Sequence, residues 1–171
     1  MKTTEACIGT ATRWLGAGLV AMAAGTAMAG KVTLPREGPV DFYNCFGGDH
    51  QSIKLQDNVM VGAWRLWGAT YTVPAGKPFD VAAMYCFGTY SWLVDKETEH
   101  GYCDVTDADG DKLVWTYNGK DFVSSGPIIA GTGKYEGMTG SLTSRPVTMY
   151  PSTAPANHHR CHRVEGTYRL R

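Results

Sequence analysis

Apolar and polar residues alternate with period two in three separate stretches of this 171-residue chain, and that alternation narrows its possible folds more than any other feature. In "DKLVWTY", Leu113, Trp115 and Tyr117 share one face. In "FDVAAMYCF" the reading places Phe79, Val81, Ala83, Tyr85 and Phe87 together. In "HRVEGTYRLR", Val164, Tyr168 and Leu170 point one way and Arg163, Glu165, Thr167 and Arg169 the other. Such a pattern is that of half-buried antiparallel strands, because successive strand side chains leave opposite faces of a sheet. Turn chemistry punctuates the runs at Gly47-Gly48-Asp49, Pro74-Ala75-Gly76, Asp107 to Asp111, Asn118-Gly119, Ser125-Gly126-Pro127 and Gly131 to Gly133. No stretch keeps a helical period between two caps. About eight strands at even spacing predict an all-β fold, either an up-and-down antiparallel barrel or a sandwich.

The first residues read as a leader. Lys2 and Arg13 give a positive start, "WLGAGLVAMAAGTA" from Trp14 to Ala27 carries no charge, and Ala27-Met28-Ala29 offers small residues where a signal peptidase cuts. The expectation is a signal peptide over 1–29 and a single domain over 30–171, exported to the periplasm or beyond. The apolar run is short of the roughly 20 residues a membrane span needs. Beyond Ala29, fourteen Lys and Arg stand against fifteen Asp and Glu with no like-charge run, which argues against nucleic acid or an anionic bilayer as a partner.

Cys7 leaves with that leader, and Cys45, Cys86, Cys103 and Cys161 remain. An even number in an exported chain reads as two disulfides, with three possible connectivities. A tight hairpin turning at Asp95 to Thr98 would set Cys103 opposite Tyr90, so a Cys86–Cys103 bridge requires a longer loop. Cys45 with Cys161 would tie the first strand to the last, and that pattern is favoured.

"GTGKYEGMTGS", Gly131 to Ser141, looks like a phosphate cradle but fails that test twice. A P-loop needs Gly where Ile128 stands and Ser or Thr where Tyr135 stands. Glycines at 131, 133, 137 and 140 instead suit a tight reversal leading into a strand.

This stretch, "DADGDKLVWTYNG" before it and the terminal "EGTYRLR" resemble bacterial exported members of the allene oxide cyclase-like and dirigent-like barrel group, over roughly Tyr102 to Leu170. The resemblance implies an eight-stranded, calycin-like barrel with an apolar cavity. Plant members of the group cyclise small apolar molecules or direct their coupling.

Candidate chemistry is sparse. His158 and His162 flank Cys161, and on a helical turn they would share one face as zinc or copper ligands, with His50 or His100 as a third. The alternative is a polar loop before the last strand, and no metal or cofactor is expected. Cys161-His162 lacks the second cysteine of a haem attachment motif, since position 158 is His. Asp107, Asp109 and Asp111 alternate as calcium ligands do, but Gly110 and Asn118 break the EF-hand pattern and a solvated hairpin turn suffices. Neither Gly-x-Ser-x-Gly nor His-Glu-x-x-His occurs. Arg65, His100, Asp104, Glu136 and His162 are the acid–base candidates.

Aromatics decide the preferred reading. Trp64, Trp67, Tyr71, Tyr85, Tyr90, Trp92 and Trp115 lie in or beside the strands, and a barrel of this size holds side chains or one small ligand. The expectation is a barrel that binds a small apolar molecule in its lumen or mouth, walled by Trp64, Tyr71, Tyr85 and Trp115 with Arg65 or His162 as polar anchor. A cyclase or isomerase would need a carboxylate or tyrosine in that cavity. A non-catalytic envelope module would have a filled interior.

Overall fold

In the computed structural model, residues 33–94, 96–151 and 157–171 are described below. Eight strands follow in order: β1 (Glu37–Gln56), β2 (Val59–Tyr71), β3 (Ala83–Leu93), β4 (Glu97–Thr106), β5 (Lys112–Lys120), β6 (Val123–Gly131), β7 (Thr139–Tyr150) and β8 (Asn157–Arg169). Each pairs antiparallel with its neighbour in sequence, and β1 pairs with β8, so the sheet closes into a barrel. The expected leader lies outside the described residues.

Parity decides what faces inward. On β1, Val40, Phe42, Asn44 and Phe46 are buried and alternate with Asp41, Tyr43, Cys45 and Gly47. On β5 the three residues grouped from the sequence, Leu113, Trp115 and Tyr117, are all buried. The grouping of Phe79 with Val81, Ala83, Tyr85 and Phe87 is corrected, since Phe79 is buried while the other four are exposed. Positive φ at Phe79 (69°) and Val81 (52°) bends the chain before β3 begins, so the alternation that runs from Val81 to Phe87 does not extend back to Phe79. Met84 and Cys86 are buried on β3, while Tyr85 and Phe87 face outward.

Half of the expected turns are also corrected, since Gly47-Gly48 lies within β1, Asn118-Gly119 within β5 and Gly126 within β6. Glycine within the strands allows close approach. A Cβ on Gly126 would stand 2.0 Å from the Thr116 carbonyl oxygen, and one on Gly68 2.1 Å from that of Cys45, so neighbouring strands approach there as only glycine permits.

Two disulfides cross-link directly opposed residues, Cys45–Cys161 between β1 and β8 and Cys86–Cys103 between β3 and β4. The objection to the second is overturned. Trp92 pairs with Glu97, and Leu93 and Lys96 exchange backbone hydrogen bonds of 2.9 and 3.3 Å, so the hairpin turns earlier than Asp95 to Thr98 and slides Cys103 from Tyr90 to Cys86. A shift of two residues in the turn moves the register by four.

Phe42, Leu113, Val105, Val164 and Leu142 fill one end of the barrel. Phe79 and Tyr135 plug it from the connecting loops, with Phe79 5.5 Å from the Phe42 ring and 5.4 Å from Tyr135.

The Gly131 to Ser141 stretch forms the β6–β7 connection, a 3-10 turn at Gly133–Tyr135 with positive φ at Gly133 and Gly137. It also carries a clamp. The Lys134 ammonium enters the β4–β5 hairpin, 2.6 Å from Asp107, 2.5 Å from Asp109 and 3.4 Å from Asp111. The aspartates that alternate like calcium ligands therefore surround a lysine. Tyr135 donates a hydrogen bond of 2.8 Å to Asp107, and the Lys134 amide donates one to Asp111. Burial opposes charge on Lys134, but its bonds to Asp107 and Asp109 prevail and hold its pKa above the usual lysine value.

Candidate functional site in the barrel lumen

Above the filled end, the lumen holds a cavity of about 270 Å³. It runs toward the β1–β2 and β3–β4 hairpins, where His50, Met60, Trp92 and Glu97 line it. Its walls are Phe46, Trp64, Tyr90, Trp115 and Tyr117, with the Trp64 and Tyr117 rings stacked at 5.9 Å. The Cys86–Cys103 disulfide forms part of the same wall. These residues sit where strand parity sends them: once Cys103 faces inward, so do Glu99 and Glu97, and once Val164 does, so do His162, Arg160 and His158.

Unlike its walls, the cavity is not chemically bland. Burial pushes the Glu97 carboxyl up to about 7, reinforced by the nearby Glu99 charge and opposed by Arg160. Glu99 is raised by burial as well, although Arg160 and a hydrogen bond with Ser124 oppose the shift. Burial lowers the pKa of Arg160, whose guanidinium lies 5.2 Å from the Phe122 ring centre. His158 and His162 are both lowered to about 4, by burial first and by Arg160 second, so both are neutral at neutral pH. Three buried side-chain atoms among the described residues have no hydrogen-bond partner within the protein: Asn44 Oδ1, Glu97 Oε2 and His162 Nε2. All three residues line the cavity. Buried polar atoms in folded proteins are bonded as a rule to protein or to ordered water, so these three mark the polar points of an otherwise aromatic wall.

The sequence-selected residues divide between the two faces of the barrel. Trp64, Trp115 and His162 line the lumen. Arg65, Tyr71 and Tyr85 do not, which corrects their expected place in the ligand wall. Arg65 lies outside and holds Asp49 through two bonds of 3.3 and 3.0 Å. Tyr71 stacks on Tyr43 at 5.1 Å on the outer surface, and Tyr85 stands exposed beside Phe87. Of the other acid–base candidates, His100 bonds Asn118 at an exposed position, Asp104 pairs with Lys112 and Glu136 is exposed.

The paired-histidine alternative changes too. His158 and His162 lie on a strand, where four residues span about 13 Å, so the helical spacing that would let them share a metal is absent. His158 instead neighbours His50, with ring centres 6.1 Å apart, while His162 packs 5.2 Å from Phe46.

No family model matches the chain, and no curated protein matches it by sequence. Among solved structures it is similar to the pterocarpan synthase dirigent protein GePTS1, at 11% identity over 80% of this chain and 93% of that one, with a TM-score of 0.49. It is also similar to the pterocarpan synthase dirigent protein PsPTS1, at 10% identity over 81% and 98%, with a TM-score of 0.46. The eight-strand barrel itself stands on the strand pairing described above.

Proposed function

We propose that this protein is an exported barrel that binds one small, largely apolar molecule in its lumen. The observation that carries the reading is the aromatic-walled cavity of about 270 Å³ with unpartnered polar atoms in its lining. Pockets for drug-sized ligands usually occupy about 300 Å³ or more, so the occupant is small. The leader-like first 29 residues and two disulfides support an oxidising destination. Native mass spectrometry of protein purified from its own host tests this, with a stoichiometric small molecule released on unfolding and a mature chain beginning at Gly30 as the expected result. Protein that comes out empty, and whose tryptophan fluorescence no small aromatic molecule perturbs, would refute the binding reading.

A second reading rests on Glu97. A carboxyl with a pKa of about 7 beside a cavity can give or take a proton at neutral pH, as a cyclase or isomerase requires. In that case Glu97→Gln abolishes turnover of the extracted molecule and leaves its binding intact. A purely structural module needs a filled interior, and the cavity speaks against that premise.

A further inference from the structure

We propose that Asn44 and His162 together form a hydroxyl-reading station in the lumen wall, so that the occupant is a neutral alcohol with one hydroxyl seated against them. The inference rests on the lumen-binding reading and specifies its ligand.

Asn44 on β1 and His162 on β8 are register partners across the seam that closes the barrel. Directly opposed strand residues on one face hold their Cβ atoms about 4.5 to 5.5 Å apart, close enough for both side chains to reach one small group. Both are more than nine-tenths buried and both line the cavity. Their surroundings are mainly apolar, including Phe46, Leu66 and Trp115.

Each side chain is already fixed on its other side. The Asn44 amide nitrogen donates to the Met84 sulfur at 3.1 Å. Sulfur of this kind only accepts, so the amide orientation is set and Oδ1 remains as an acceptor with nothing to accept. His162 Nδ1 lies 2.9 Å from the Ser144 hydroxyl. With that hydroxyl donating, the ring proton sits on Nε2, which is the atom without a partner. Burial keeps the ring neutral.

An acceptor and a donor carried by register partners therefore both lack a partner within the protein. One hydroxyl answers both, giving its hydrogen to Asn44 Oδ1 and receiving the His162 Nε2 hydrogen on its oxygen. An ether or ketone could satisfy only His162, and an ammonium only Asn44.

The test uses the full mature protein and two probes of one shape, 2-naphthylmethanol and 2-ethylnaphthalene, titrated calorimetrically. The alcohol should bind more tightly by about tenfold or more, as expected where a site is built to bond a hydroxyl. Asn44→Leu should bring that ratio to near one, and should melt no lower than the parent, since it deletes a buried unsatisfied atom. A merely structural Asn44 would instead lower the melting temperature. In the unmodified protein, imidazole nitrogen NMR should find the His162 proton on Nε2 and a shift there on adding the alcohol but not the hydrocarbon. Equal affinities, a preference that survives Asn44→Leu, or a proton on Nδ1 would each overturn the station while leaving the lumen reading intact. Binding of neither probe would overturn both.

Discussion

Replacing Lys134 by methionine keeps most of the side chain's length and removes its charge, which isolates what the ammonium does among Asp107, Asp109 and Asp111. The Lys134 side chain is only 10% exposed and Asp107 11%. Deleting one partner of a buried ion pair costs about 3 to 5 kcal/mol, because the other charge is left uncompensated. Asp109 is 35% exposed and Asp111 21%, so water screens part of the loss and about 2 to 3 kcal/mol is the better figure. For a domain of this size that is a fall in melting temperature of about 6 to 12 °C.

Two further signatures separate this from a generic packing defect. The three carboxylates lie within 4.8 Å of one another, so without the ammonium their repulsion should be relieved by a divalent cation. Millimolar calcium should therefore raise the melting temperature of the variant and leave the parent unchanged. The pH dependence should differ as well. Burial would raise Asp107, but Lys134 and Tyr135 outweigh it and hold its pKa below 3.8, so the parent keeps this contribution at neutral pH and loses it as pH falls through that lowered value. In the variant, acid relieves repulsion instead, so the two proteins should converge toward pH 3. Differential scanning calorimetry at pH 7 and pH 3, with and without calcium, reads all of this. A variant within 2 °C of the parent at pH 7, or calcium acting equally on both, would refute the reasoning.

Glu97→Gln should stabilise the protein at pH 8 and not at pH 4. The folded pKa is raised from 4.5 to about 7, so ionisation opposes folding increasingly between those values and fully above them. The full shift corresponds to about 3 kcal/mol and partial screening leaves about half, readable by urea denaturation at both pH values. Replacing both Cys45 and Cys161 by alanine should cost more than replacing Cys86 and Cys103, since the bridges span 116 and 17 residues. Loop-closure entropy gives about 5 against about 3 kcal/mol, so equal losses in denaturant midpoint would count against that account. Gly126→Val should prevent accumulation of folded protein, because its Cβ has no room beside the Thr116 carbonyl, and a soluble variant with an unchanged circular dichroism spectrum would contradict the close approach.

Strand number and the inward faces of β5 and the second half of β8 were legible from alternation alone, because a half-buried strand cannot hide its period. Turns were less so, and glycine is the reason. Gly47, Gly119 and Gly126 look like punctuation, yet they lie within strands, and at Gly126 the backbones crowd too closely for a side chain. The cavity was partly legible. Extending the parity of Val164 and Tyr168 back along the last strand reaches His162, Arg160 and His158, all of which line the lumen. Glu97 and Glu99 could not be placed before the β3–β4 register was known, since a hairpin turning two residues later re-pairs the entire strand. Only residue type singles out Arg65, Tyr71 and Tyr85 in the sequence, and type carries no information about which side of a sheet a side chain leaves.

The plug of Phe79 and Tyr135 against Phe42 makes the lumen a blind alley. On the lumen-binding reading and among the described residues, a ligand that enters must leave by the same end, so hold and release would share one mouth. For a long-chain ligand only a terminus could lodge there, with the remainder trailing past Trp92 and Glu97 into solvent.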